Sequence, residues 1–66
     1  MTGYLSITTS ELASQGYTAA QFANMSTGNQ QNLAAQIYRN RGDVRTARVL
    51  QDHNPNVTQF VVESDT

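Results

Sequence analysis

All four basic side chains of this 66-residue chain, Arg39, Arg41, Arg45 and Arg48, lie between positions 39 and 48, and lysine is absent. A guanidinium presents its donors in a planar fork that grips a carboxylate or a phosphate through paired hydrogen bonds. Arg45 and Arg48 stand three apart and are expected to face outward on one helix, with Arg39 and Arg41 close by. Such a group could hold about two or three phosphates. The same stretch also offers the arginines carboxylates, Asp52 four residues after Arg48 and Asp43 across the turn from Arg39. The chain carries a net charge of −1, whereas nucleic-acid-binding domains carry a basic excess. The arginines are therefore read first as a protein-contact surface, with nucleic acid the less favoured partner. Arg41-Gly42-Asp43 spells the integrin-ligand tripeptide, but its glycine and aspartate suit the end of one helix and the start of the next, not an extended adhesive loop.

Catalytic chemistry has little to work with. A general acid and base need paired titratable groups in a concave site, and Glu11, Asp43, Asp52, Glu63 and Asp65 are scattered along the chain. His53 beside Asp52 falls at an expected helix end, where an imidazole commonly caps carbonyls. Cysteine is absent and His53 stands alone, so neither a thiolate nor a histidine metal site can be assembled. A domain of this size is also expected to offer little volume for a ligand pocket of roughly 300 Å³ or more. The sequence predicts no enzyme, no cofactor and no small-molecule substrate.

The elements that carry these residues are announced by capping signals. In "ITTSEL", Thr8 and Glu11 form a capping box, with Ile7 and Leu12 at the positions of a hydrophobic staple. "YTAAQF" repeats the pattern with Thr18, Gln21, Tyr17 and Phe22, so a first helix ends before Gly16 and a second runs to about Met25. A third start is read at Thr27 reaching Gln30, followed by Leu33, Ala34, Ile37 and Tyr38 on one helical face. Gly42 suits the left-handed residue after that helix, and Asp43 caps a fourth from Val44 to about Asp52, with Val44, Ala47 and Leu50 on its inner side. Asn54-Pro55-Asn56 breaks the helical region. The nine residues from Gly42 to Leu50 resemble the last helix of ubiquitin-associated domains and of some bacterial helix-turn-helix proteins at Gly42, Ala47 and Leu50. A helical hairpin closed by a glycine is common to helical proteins, and this one names no family.

"GYLSIT" and "VTQFVV" at the two ends are rich in β-branched and aromatic residues and read as extended. The expected architecture is one mainly α domain, residues 1–66, of three to four short helices. An N-terminal arm covers 1–7, the helical unit 8–53 and a C-terminal arm 54–66, the arms able to pair as a two-stranded antiparallel ribbon. The expected core is Leu12, Tyr17, Phe22, Leu33, Ile37, Tyr38 and Leu50. Val57, Phe60, Val61 and Val62 are too apolar for a free tail and are expected to bury largely against another chain. Truncation after Asn56 would then leave the helices intact.

Twenty-six Ser, Thr, Asn and Gln residues against nine charged ones make a weakly charged, amide-rich surface, and a net charge near zero favours association. No apolar run approaches the ~20 residues of a membrane span and no signal peptide is read, so the chain is expected to be soluble and unprocessed. These features together lead to a small non-catalytic interaction protein that binds a protein partner or itself, a virion component of the capsid, cement or connector type. The partner-binding residues would be Arg39, Arg41, Arg45, Arg48, Val57, Phe60, Val61 and Val62. The alternatives are a helix-turn-helix-like regulator that binds DNA through Arg45 and Arg48, and a phage-type inhibitor docking on a host protein.

Overall fold

Each helix begins where a side chain can take up an orphan backbone N–H. The computed structural model describes residues 4–52 and 59–64. In it, strand β1 (Tyr4–Thr8) runs into helix α1 (Thr9–Ser14), followed by α2 (Ala19–Ala23), α3 (Thr27–Asn40), α4 (Val44–Gln51) and strand β2 (Gln59–Glu63). Both capping boxes are present. The Thr8 hydroxyl accepts from the Glu11 N–H at 3.2 Å while the Glu11 carboxylate accepts from the Thr8 N–H at 3.1 Å. Thr18 and Gln21 exchange the same pair at 3.1 and 2.9 Å. The third cap lies one residue earlier than expected: Ser26, in extended geometry, accepts from the Asn29 N–H, and Thr27 is already helical. Adjacent hydroxyls can each reach a backbone N–H three residues on, so backbone geometry alone chose between them. Asp43 caps α4 through the Thr46 N–H, and Gly16 and Gly42 take the left-handed φ values, 87° and 91°, that end α1 and α3.

The caps give a ranking that can be tested. Thr18→Ala should cost about 1 kcal/mol, the ordinary value of an N-cap. Thr8→Ala should cost more, because it also removes the hydroxyl that donates to the Glu11 carboxylate and helps orient it toward a further partner described below. Thermal melts in which the two variants lose equally, or Thr18→Ala loses more, would contradict this ranking.

The ribbon that closes the domain is parallel, not antiparallel. Its register pairs Leu5 with Phe60, Ser6 with Val61 and Ile7 with Val62. Four helices separate the strands, so the chain has room for the crossover that parallel pairing requires. One face of the ribbon turns inward: Ile7 is fully buried, and Leu5, Phe60 and Val62 pack on the core. Phe60 meets Phe22 edge to face, with centroids 5.5 Å apart. The C-terminal segment, expected to bury largely on another chain, thus returns to its own domain at Phe60 and Val62. Val57, His53 and the Asn54-Pro55-Asn56 break lie outside the described residues.

The core is Ile7, Leu12, Phe22, Ala34, Ala35, Ile37, Tyr38, Ala47 and Leu50, with Leu33 partly buried beside it. Two residues expected to face inward, Tyr17 of the core and Val44 on the inner side of α4, are exposed instead. Tyr17 is 39 % exposed, because the turn at Gly16 leaves only the Phe22 half of that staple facing inward. Val44 is 57 % exposed. Positions three apart drift by about 60° around a helix, and α4 meets the core along Ala47 and Leu50, leaving Val44 off the line. Gln31 is buried and, among the described residues, every buried side-chain polar atom has a hydrogen-bond partner.

Candidate interaction surface

The arginines do not act as one group. Arg41, the residue just past α3, reaches back to α1 and forms a two-pronged ion pair with the Glu11 carboxylate. Its second guanidinium nitrogen also donates to the Ser6 carbonyl at 3.2 Å, and its guanidinium carbon sits 4.4 Å from the centre of the Tyr38 ring. Tyr38, buried in α3, donates its hydroxyl to the same Ser6 carbonyl at 2.8 Å. The α3 end, α1 and β1 are thereby joined at one point. The hydrogen bonds from Arg41, followed by those from the Thr8 N–H and hydroxyl, outweigh partial desolvation and hold the Glu11 carboxyl at about 2, well below its ordinary 4.5. Glu11 in turn raises the already high pKa of Arg41.

This overturns one expectation about the cluster. The carboxylate partner is Glu11, thirty residues away, and not Asp43 or Asp52. Asp43 is occupied in capping α4, where the Thr46 N–H and hydroxyl lower its pKa. Arg41 is a structural lock, so the RGD tripeptide is built into a helix-to-helix turn. Arg39, Arg45 and Arg48 remain exposed, Arg39 in the last turn of α3 and the other two on α4. Arg45 borders a hollow of about 260 Å³ with Leu5, Thr46 and Val49.

The two flanks of the ribbon differ. On β1 the Ser6 carbonyl is occupied by Tyr38 and Arg41, which closes that strand against α3. Among the described residues β2 has β1 as its one neighbour in the sheet. Its sequence QFVVE alternates exposed and partly buried, with Val61 41 % exposed on the outer face. Strand edges are ordinarily guarded by lysine, proline or inward charges. β2 carries a single charge, Glu63, at its end, and β1 carries none. Phe60 and Val62 are thus engaged by the core, and among the described members of the expected apolar group Val61 is the one that faces outward.

A second feature was not foreseen. An open groove of about 630 Å³ lies between the α1–α2 corner and α3, lined by Gln15, Tyr17, Met25, Asn29, Asn32, Leu33 and Gln36. It exceeds the volume expected of so small a domain: α3 forms one wall, and the α1–α2 turn (Gln15, Tyr17) with Met25 just past α2 forms the other. The sequence signal was present in Asn29, Asn32, Leu33 and Gln36, whose spacing places them on one helical face.

No family model matches the chain, and no curated protein or solved structure is significantly similar to it. Among the described residues no helix is long and apolar enough to cross a membrane. What the molecule does has to be argued from its own surface.

Proposed function

We propose that this protein is a small non-catalytic structural component of a larger assembly, of the capsid, cement or connector type, and that copies of the chain join by strand addition at the outer edge of β2. The observation that carries this reading is the unguarded edge of β2 beside the exposed Val61. A two-stranded ribbon is a marginal structure in water, and parallel sheets are ordinarily covered on both faces. A strand from a neighbour extends the main-chain ladder and covers Val61. A second copy suits this site because a net charge of −1 sets little repulsion between copies. The exposed Val44 gives a further apolar contact to such an assembly.

Sedimentation velocity over a concentration series tests the reading. The wild-type chain should associate as concentration rises, and Val61→Lys should stay monomeric with an unchanged helical circular dichroism spectrum, since a lysine on an edge strand opposes pairing. A wild type that remains monomeric throughout, or a Val61→Lys protein that associates as well as wild type, would contradict it. Micromolar binding to a DNA duplex that falls steeply with salt and vanishes in Arg45→Ala/Arg48→Ala would favour the regulatory alternative instead.

A further inference from the structure

The outer edge of β2 opens onto a groove of about 500 Å³, lined by residues 59–62 together with Phe22 and Ala23 of α2 and Gln30 of α3. No residue of β1 lines it, so it lies on the side of β2 away from β1. Phe22 and Phe60, packed edge to face, give it an apolar part, and the Gln30 side chain ties its helical wall together by donating to the Phe22 carbonyl at 2.8 Å. The backbone groups along this edge follow from the ladder. The Ser6 carbonyl is taken by Tyr38 and Arg41 and therefore points away from β2. Across a parallel pair one residue turns its N–H and C=O toward the other strand and its partner turns them away, so Val61, opposite Ser6, bonds to β1. Successive residues alternate, and Phe60 and Val62 thus present their N–H and C=O groups to the groove.

Resting on the strand addition proposed above, we infer that the strand filling this groove is β2 of a second copy, antiparallel to the first, with a two-fold axis at Val61. The outer flank of β1 is closed by Tyr38 and Arg41, whereas among the described residues β2 is open in every copy. A two-fold axis perpendicular to the ribbon runs the strands antiparallel and keeps the core-facing sides of both ribbons together. With the axis at Val61, the whole of β2 pairs with β2. Phe60 exchanges main-chain bonds with Val62 of the second copy, and Val61 meets its own counterpart in a non-hydrogen-bonded pair, where side chains come closest. Gln59 stands opposite Glu63, a carboxamide that donates to a carboxylate. Moving the axis to Phe60 carries Val62 and Glu63 past the end of the strand; moving it to Val62 sets Glu63 against Val61; moving it to Glu63 opposes two carboxylates. The pairing turns two marginal two-stranded ribbons into one continuous sheet, order β1-β2-β2-β1, and the contact closes on two copies.

Cysteine cross-linking tests the register in the full chain, which has no cysteine of its own. At a concentration where wild type sediments as an associated species, Val61→Cys in a glutathione redox buffer should form a covalent dimer, since non-hydrogen-bonded cross-strand positions meet disulfide geometry. Gln59→Cys and Glu63→Cys, exposed on the same face, should each alone give at least about tenfold less dimer, because their like positions lie apart across the axis. A mixture of those two variants should cross-link into a 59–63 heterodimer. Each substitution alters an exposed side chain, and unchanged helical circular dichroism checks the fold. A wild type that stays monomeric would overturn strand addition, and this pairing with it. Association in which Val61→Cys cross-links no better than Glu63→Cys, or in which the mixture cross-links no better than its parts, would overturn the β2–β2 pairing alone and leave strand addition to another segment of the neighbour.

Discussion

A chain ending at Asp52 should fail to fold. The cut removes β2, and with it Phe60 from its contact with Phe22 and Val62 from its place on the core beside the fully buried Ile7. Phe60→Ala alone should cost about 2–3 kcal/mol, toward or below the low end for phenylalanine because the ring is only partly buried. A domain of this length has a total stability of about 3–10 kcal/mol, so the point variant should melt at a much lower temperature and the truncation should lose cooperative melting altogether. Circular dichroism melts check both. A truncated chain that keeps its helical spectrum and a sharp transition would mean that the C-terminal segment is an independent arm, as the sequence led one to expect.

Arg41→Ala should have the second largest effect, and it should change how stability depends on pH. In the folded chain the Glu11 carboxyl titrates at about 2 instead of 4.5. Its folded value is depressed, so its contribution is fully present above about 4.5 and is lost as pH falls from there toward about 2. The displacement taken in full corresponds to about 3 kcal/mol. The two side chains are 25 % and 33 % exposed, however, so solvent screens the pair and a loss of about 1–2 kcal/mol is expected. Denaturant titrations at neutral pH should show that loss in both Arg41→Ala and Glu11→Gln, and the difference from wild type should shrink as pH falls below about 4.5. A difference that stays constant down to the lowest accessible pH would show that the lock acts through packing on Tyr38 and not through charge.

Local signals in the sequence carried most of the helical framework. The Thr8–Glu11 and Thr18–Gln21 boxes, Gly16, Gly42 and Asp43 stand where the capping grammar puts them, because each cap is satisfied within three or four residues and needs no tertiary information. The errors share the opposite property. Parallel pairing of β1 with β2, the Arg41–Glu11 lock across thirty residues, and the exposure of Tyr17 and Val44 all depend on how the elements meet in space. Glu11 was recognised as a capping residue, and nothing in its neighbourhood announces that the same carboxylate also receives a guanidinium. The amide groove was missed for a related reason: its parts come from α3 and from a corner whose direction is set by the turn at Gly16.

The most direct measurement of the central claim is a set of isotope-filtered nuclear Overhauser effects on a sample mixing labelled and unlabelled copies at a concentration where the protein associates. Contacts between copies should run from the backbone protons of β2, residues 59–63, and from the Val61 methyls to an extended strand of the neighbour. Contacts confined to α4 or to the α3 groove, with β2 silent, would contradict assembly through the ribbon.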